Sequence, residues 1–458
     1  MENTLVVEEK LTNKKSLQMI WLLAWPVMLG QVLQTALELV DLYFISMLRD
    51  TVFFAAIGYS TSLFGVVVVA SQLVVAGTIA LIARESGAEN QNTVTNLTRQ
   101  ALTLALLVGV FLWICVSVFA TPLLQLFGAR GNLLLYGTNY LRIVLVGIPF
   151  VYYNMTGRAI LQAKGDTFTP MIIFVLMNAV NILFNWLLIF GVWIFPELGY
   201  KGAAYGTLLS NIFAFVLFVF VLQRKAFKGK ILDVITPVFD FELMIRFIKI
   251  GGYAVVQAVA RPITGLFMYG IASLSGENAL AAFTIGGRMF NLVFIILAGL
   301  TTAISVLTGQ NLGKKDYNSI NVHVKNGLLI GAINMLIFAI PYFIFSESIM
   351  GVFVKNPEDF RVIEIGVSYF RITYVGLIFV IFSVIYGGVF IGAGDTAPPM
   401  VASLVANWAV KVPLAYIFAG RLNLGSNWVW IAISLSVIVE VLIVSIWYGK
   451  GRWKFKKI

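Results

Sequence analysis

The chain has 458 residues, of which 60% are hydrophobic and only 12% charged, and its mean hydropathy is +0.92. Soluble domains carry about a quarter charged residues, so this composition excludes a soluble globular protein and places the chain in a membrane. The net charge of +11 raises nucleic acid as a partner, while the single Cys115 excludes an internal disulfide or a cysteine metal cluster.

A helical span needs roughly 20 apolar residues. Twelve such stretches follow one another, at about 17–48, 52–83, 96–125, 135–160, 170–194, 201–223, 244–274, 279–311, 319–346, 362–391, 397–419 and 427–448. Residues 1–16 are charged and lack a cleavable signal pattern, so the first span is read as retained. Basic residues gather on one side of these spans: Lys10, Lys14 and Lys15 at the start, Arg84 and Arg99 after span 2, Arg158 and Lys164 after span 4. Arg224, Lys225, Lys228, Lys230, Arg246 and Lys249 follow in the central connection, then Lys314, Lys315 and Lys325, and then the tail from Lys450 to Lys457. The other side holds Arg49, Arg130, Lys201, Lys355, Arg361 and Arg421. By the positive-inside rule both termini are cytoplasmic, which needs an even number of spans. The charge is thus read as orientation and contact with anionic lipid headgroups, not as nucleic-acid binding.

The second half repeats the first. Tyr140-Leu141-Arg142-Ile143 returns as Tyr369-Phe370-Arg371-Ile372, Gly165-Asp166-Thr167 as Gly394-Asp395-Thr396, Pro170 as Pro399 and Asn178 as Asn407, all at a spacing of 229. Gln31 and Gln257, and Gly87 and Gly313, match at 226. Six spans per half insert both halves the same way up, so the repeat is parallel. The expected fold is an all-α integral membrane protein of twelve transmembrane helices in two parallel six-helix repeats. The expected division is an N-lobe at 1–223, a cytoplasmic linker at 224–243, and a C-lobe at 244–458 with a basic tail. Asp166 and Asp395 are expected to cap the helices that follow them. Gly202-Ala203-Ala204-Tyr205-Gly206 reads as a small-residue face for close helix contact. Pro26, Pro262 and Pro413 each remove a helix hydrogen bond.

Repeats built this way are commonest in transporters, with the substrate site between them. Polar residues found in one half only are the better functional candidates. Asp41 aligns with Phe267, Asn181 with Val410 and Asn185 with Leu414. Ionisable groups in hydrocarbon cost about 2.5–3.5 kcal/mol on the insertion scale, so they usually face a cavity or a partner. Glu38 and Asp41 are three residues apart, on one helix face. Asp41 and Asn185 each lie roughly 10 Å from the outer ends of their spans, with Asn181 one turn deeper, Thr207 inside span 6 and Tyr140 at the start of span 4. One carboxylate, two amides and two hydroxyls at one depth suit a proton relay or Na⁺, hard-oxygen chemistry, better than a transition metal. The opposing reading is a set of scattered interhelical hydrogen bonds. Substrate-wall candidates are Gln34, Gln72, Asn154, Met155, Asn178 and Arg261. In the second half Arg261, Lys411 and Glu440 are read as pairing with one another or with Glu38. His323, the only histidine, stands at a helix start and reads as a solvated or capping residue. No HExxH, P-loop or GxGxxG precedes a helix, so enzyme and cofactor chemistry have little to stand on.

At Leu39-Val40-Asp41, Gly87-Ala88-Glu89-Asn90, the two Gly-Asp-Thr turns and Gly309-Gln310-Asn311-Leu312-Gly313, the chain resembles the multidrug and toxic compound extrusion (MATE) transporters. The resemblance implies two six-helix lobes around a cleft that opens alternately to each side. It also implies export of organic cations and amphipathic drugs or toxic metabolites, driven by H⁺ or Na⁺. The chain is expected to be a monomer, and its compactness and lack of long tails point to a prokaryotic inner membrane. It maps the family's coupling aspartate onto Asp41, span-5 polar residues onto Asn181 and Asn185, and the span-6 threonine onto Thr207. Several relatives have an aspartate where Asn185 stands. The C-lobe carboxylates used for Na⁺ by another branch are absent here, which places coupling in the N-lobe. A lipid-linked oligosaccharide flippase of the same superfamily is the alternative, kept open by Arg261 and Lys411. A major-facilitator transporter also has twelve spans, but the loop after span 2 lacks that family's charged Gly-Asp-Arg signature.

Overall fold

The computed structural model describes residues 11–48, 51–227, 237–354 and 360–458. Lys10, Arg49, Lys228, Lys230 and Lys355 lie outside them. Among the described residues every regular element is helical. Hydrocarbon offers the backbone no hydrogen-bond partner, so long apolar segments must satisfy their own N–H and C=O groups as helices.

The helices in order are α1 (Asn13–Ser46), α2 (Thr51–Val69), α3 (Gln72–Gly87), α4 (Gln91–Leu126), α5 (Gly131–Val146), α6 (Ile148–Ala163), α7 (Phe168–Phe190) and α8 (Tyr200–Lys225). Then follow α9 (Phe241–Leu274), α10 (Glu277–Gly313), α11 (Tyr317–Ile344), the short α12 (Ser346–Phe353) and α13 (Phe360–Ala393). Next come α14 (Ala397–Leu404) and α15 (Val412–Ala415), each followed by a π-helical stretch, and α16 (Asn427–Gly449) closes the series. Among the described residues eleven continuous spans are long and apolar enough to cross a membrane; α2 with α3 makes one of them, and α5 with α6, bent by 46°, makes a twelfth when taken as one span. Each of the twelve expected stretches therefore has its helix, and the chain is a multi-pass membrane protein.

The breaks have local causes. Pro149 follows Gly147 at the α5–α6 bend and cannot donate to the preceding turn. Where α2 gives way to α3, the Tyr152 hydroxyl donates to the Val67 carbonyl at 2.6 Å and satisfies it. Pro413 falls between the π-helical turns Val405–Lys411 and Tyr416–Arg421, whose wider rings accommodate a residue without an N–H. Helix α7 stops at Gly191, in the left-handed region at φ 65°, where a Cβ would sit 2.8 Å from Glu197. This ends the span short of the expected residue 194.

The chain clusters into two compact units. One comprises residues 26–263 with Ile458, the other residues 1–25 and 264–457. In the first, α7 and α8 lie close because α8 presents Gly202 and Gly206. A Cβ on Gly202 would stand 2.5 Å from the Leu188 carbonyl carbon, so the small-residue face works as expected. A Cβ on Gly109 would meet Pro149 at 2.8 Å, which brings α4 against α6. Leu141, Ile148, Tyr152, Ile160 and Leu222 form the buried centre. The segment entering α9 is tied to α4, with Val238 N donating to Thr103 Oγ1 and Asp240 N to Gln100 Oε1, both at 3.2 Å.

In the second unit Phe283, Tyr369 and Trp430 pack as an aromatic group, with ring centroids 4.9 Å apart for Tyr369 and Trp430. His323 corrects the expectation of a solvated residue. It is 2% exposed, and its Nδ1 lies 2.9 Å from the hydroxyl of buried Ser16, tying the start of α1 to α11. The helix start is capped instead by Asp316, which accepts from Ser319 N at 3.0 Å.

Each Gly-Asp-Thr turn is anchored by a lysine of its own unit. Asp166 pairs with Lys225 at 2.5 Å and Asp395 with Lys456 at 2.9 Å. Asp166 also accepts from Thr169 N at 2.9 Å, which is the expected cap. Burial works against the Asp166 charge, but the bonds from Lys225 and Thr169 outweigh it and hold the carboxyl below the usual range.

Candidate ion-coupling site

Helix α1 carries Asp41, α7 carries Asn181 and Asn185 one turn apart, α8 carries Thr207 and Ser210, and α5 carries Tyr140. Asn185 Nδ2 donates to Asp41 Oδ1 at 2.7 Å and to Asn181 Oδ1 at 3.0 Å. Asn181 Nδ2 reaches Ser210 Oγ at 3.4 Å, and Ser210 in turn donates to the Thr207 carbonyl at 2.9 Å. Tyr140, 5% exposed, shares a hydrogen bond with Thr207 and lies within the field of Asp41. The five residues singled out in the sequence thus converge on one buried chain of polar groups, with Asn185 fully buried and Asn181 2% exposed.

The Asn185 Oδ1 atom is left without a partner. It is held against Gly206, where a Cβ would overlap it outright. An ionised carboxylate only accepts hydrogen bonds, which fixes the Asn185 amide with its nitrogen toward Asp41. An unpaired amide oxygen, a carboxylate and the hydroxyls of Ser210 and Thr207 thus belong to one connected group of side chains. Such a set can ligate Na⁺ through oxygens or take a proton on Asp41.

The other named residues stand apart from this chain. Glu38 is exposed, feels Asp41 only through its charge and accepts from Gln34 Nε2 at 3.2 Å. Asn154 Nδ2 donates to the Asn211 carbonyl at 3.0 Å, and Met155 Sδ takes the Ser71 hydroxyl at 3.0 Å. Gln72 is exposed. Asn178 is buried with both amide atoms unpaired, whereas its repeat Asn407 donates to the Ser403 carbonyl at 2.7 Å. Lys411 donates to Asn407 Oδ1 at 2.6 Å, and Glu440 accepts from Ser383 at 2.9 Å. Arg261, Lys411 and Glu440 all have further partners as well. Arg158, counted from sequence among the loop charges after span 4, lies inside α6. Ser210 and Asn211 belong to the site's surroundings and were not singled out, and Gly206 was read only as part of the helix-packing face. Ser210 gives little sequence signal, because a serine within a helix commonly bonds its own turn.

The MatE family model matches residues 26–187 and again 254–417, once in each repeat. The chain belongs to the MatE family. Among curated MatE relatives, the protein named "Probable multidrug resistance protein YoeA" of Bacillus subtilis is 26% identical over 98% of each chain. The "Probable multidrug resistance protein NorM" of Thermotoga maritima is 26% identical over 95% of this chain and 93% of its own. The "Multidrug export protein MepA" of Staphylococcus saprophyticus is 24% identical over 92% and 91%. Among solved MatE structures, one of MATE in the bent conformation superposes with a TM-score of 0.86, at 24% identity over 96% of this chain and 95% of its own. An outward-facing multidrug resistance MATE transporter gives 0.84, at 24% identity over 96% of each chain. MatE proteins are transporters and not enzymes, and the two-repeat, twelve-helix architecture agrees with these folds.

Proposed function

We propose that this MatE protein is a secondary active multidrug exporter, an antiporter working by alternating access in the cell's inner membrane with both termini cytoplasmic. Inward H⁺ or Na⁺ drives export of organic cations and amphipathic compounds, and Asp41 is the coupling group. One observation carries this reading: a carboxylate, hydrogen-bonded to Asn185 and backed by Asn181, Ser210, Thr207 and Tyr140, occurs in one repeat only, Phe267 standing at the matching position. The names of the curated relatives agree with it.

In this reading Asp41 is ionised when it accepts from Asn185. A proton on Asp41 turns that acceptor into a donor, and Na⁺ competes for the same oxygen. Either event re-aims the Asn185 amide, whose oxygen is already unpaired. Helices α1, α7 and α8 then repack, and substrate affinity falls on the releasing side. A ligand shifts such an equilibrium only by its differential affinity for the two states.

The test is ethidium movement in proteoliposomes under a pH gradient or a Na⁺ gradient, imposed separately, for wild type and Asp41→Asn. Uphill movement under one gradient, lost in the variant, identifies the ion. Full concentrative transport by Asp41→Asn would sink the assignment. Absence of movement under either gradient, with rescue of a flippase-deficient strain, would favour a lipid-linked substrate.

A further inference from the structure

Three asparagines of the first unit carry buried polar atoms with no partner among the described residues: Oδ1 of Asn185, Oδ1 of Asn154, and both amide atoms of Asn178. Asn185 is fully buried, Asn178 is 7% exposed and Asn154 8%. Asn178, Asn181 and Asn185 follow one another at three and four residues, which puts them on one face of α7. That face meets α8 at Ser210, which Asn181 reaches at 3.4 Å. Asn154 of α6 meets α8 one residue further on, donating to the Asn211 carbonyl at 3.0 Å. Helices α6 and α7 flank the Gly-Asp-Thr turn, with Asn154 twelve residues before Asp166 and Asn178 twelve after it. The two amides therefore stand at one height, roughly 14 Å from the ends of their helices at that turn. Asn178 lies seven residues, or roughly 10 Å, from Asn185 toward the same turn.

The fold does not require open amides at these positions. At the repeat spacing Asn154 corresponds to Ser383, Asn178 to Asn407 and Asn211 to Glu440. In the second repeat all of these are engaged. Ser383 donates to Glu440 at 2.9 Å, and Asn407 donates to the Ser403 carbonyl at 2.7 Å and accepts from Lys411 at 2.6 Å. Asn407 also reaches Ser403 Oγ at 3.2 Å. The first repeat has Phe174 where Ser403 stands and Ile182 where Lys411 stands, so both side-chain partners of Asn178 are withdrawn. The repeat that carries Asp41 is thus the one that leaves its amides open. A buried amide without a partner is costly, so the fold keeps it only for an occupant.

We propose that Asn178 and Asn154 continue the Asp41 chain as a hydrated path, along which the coupling cation passes between Asp41 and the end of the unit that carries the Gly-Asp-Thr turn. The path rests on the exporter reading and extends its ion route beyond the residues around Asp41. The open atoms are mostly amide oxygens, which accept from hydronium and ligate Na⁺, so the occupant is a hydrated cation. A buried water needs two to four polar partners. Asn178 offers two atoms and Asn154 one, and the Asn178 amide nitrogen donates to the water that accompanies the cation. When the cation is a proton, the Asp41 O–H bond breaks and the proton joins a water of the path as hydronium. Asp41 is left as the carboxylate that accepts from Asn185.

The test uses the full chain in nanodiscs. Cys115 is the only cysteine, so Asn178→Cys and Asn154→Cys in a Cys115→Ala background each carry one thiol. The probe is Ag⁺, a cation close to Na⁺ in size, and the thiol left after exposure is counted with a maleimide dye in denaturant. The control is Ile173→Cys, at a site 4% exposed on another face of α7. A thiol in dry apolar surroundings stays protonated and inert, so both path cysteines are expected to react about tenfold faster than the control or more. Rates equal to the control overturn the path. In proteoliposomes Asn178→Leu is expected to slow uphill ethidium movement about tenfold, with ethidium binding by fluorescence anisotropy unchanged. Asn178→Ser, which still holds a water, is expected to keep most of the transport. Weakened ethidium binding, with transport restored at saturating ethidium, would make Asn178 substrate wall and overturn the path. Absence of ethidium movement in wild type under either gradient would fail the exporter reading, while the silver rates still decide whether the path is hydrated.

Discussion

Asn185 of α7 donates to Asp41 of α1 across 2.7 Å, joining helices whose two residues are 144 positions apart. The same amide nitrogen also serves Asn181 at 3.0 Å, so the bond to Asp41 is held from behind. Replacing Asn185 by leucine leaves the buried Asp41 oxygen without its donor, a loss of about 1–3 kcal/mol. Concentrative ethidium transport by Asn185→Leu should fall at least about tenfold, the equivalent of about 1.4 kcal/mol. Asn185→Asp, which can share a proton with Asp41, should retain coupled transport. Side-by-side proteoliposome assays of the two variants decide the point. Equal activity would show that the bond is structural only.

Gly206 allows this geometry. A Cβ there would overlap Asn185 Oδ1, and overpacking of that kind typically costs about 1–3 kcal/mol. Gly206→Ala should therefore push Asn185 away from Asp41, lower the melting temperature by a few degrees and abolish coupled transport. Gly252→Ala, where a Cβ meets open space, should do neither. Melting curves in detergent, read beside transport, separate a local displacement from general unfolding.

The number and order of spans are legible in the sequence because hydrophobic length is a direct requirement of the bilayer. The polar cluster is legible because the repeat supplies an internal control. Asp41, Asn181 and Asn185 stand against Phe267, Val410 and Leu414, and the three do meet. What escapes the sequence is direction. Arg158 and Lys164 look alike as two charges at the end of a span, yet one lines a pocket and the other donates to the Lys225 carbonyl at 2.9 Å. His323 looks like a helix-start residue, and only the tertiary approach of Ser16 shows that it is buried. Glu38 shares a face with Asp41, but a three-residue offset leaves it exposed and bonded to Gln34.

The Gly-Asp-Thr anchor predicts a pH signature. The folded Asp166 carboxyl is held below its ordinary range by Lys225 and Thr169, against the effect of burial. Its stabilisation is therefore fully present above the unfolded value near 4 and lost as pH falls through the folded value. Lys225 is 48% exposed, so solvent screening limits the contribution to about 0.5–1 kcal/mol. Asp166→Asn should melt slightly below wild type at pH 7, with the gap closing below pH 4. A gap of constant size down to pH 3 would assign the effect to the Thr169 cap alone.

The Ser16–His323 contact predicts non-additive stability. Both side chains are buried, at 0% and 2% exposure, and each is the other's recorded side-chain partner at 2.9 Å. Truncating one strands the other, a loss of about 1–3 kcal/mol, whereas removing both leaves no unpaired polar atom. His323→Leu and Ser16→Ala should each lower the melting temperature, and the double variant should lose less than the sum of the two. Two neighbours bound the interpretation: Asp316 beside His323 is already engaged by Ser319, and Asn326 one turn along α11 holds the Asn13 carbonyl at 3.3 Å. Because those contacts survive in all three variants, the cycle isolates the pair. Strict additivity would mean that the imidazole and the hydroxyl sit together without being coupled. A positive coupling of about 0.5 kcal/mol or more would establish the contact as the tie between the start of α1 and α11.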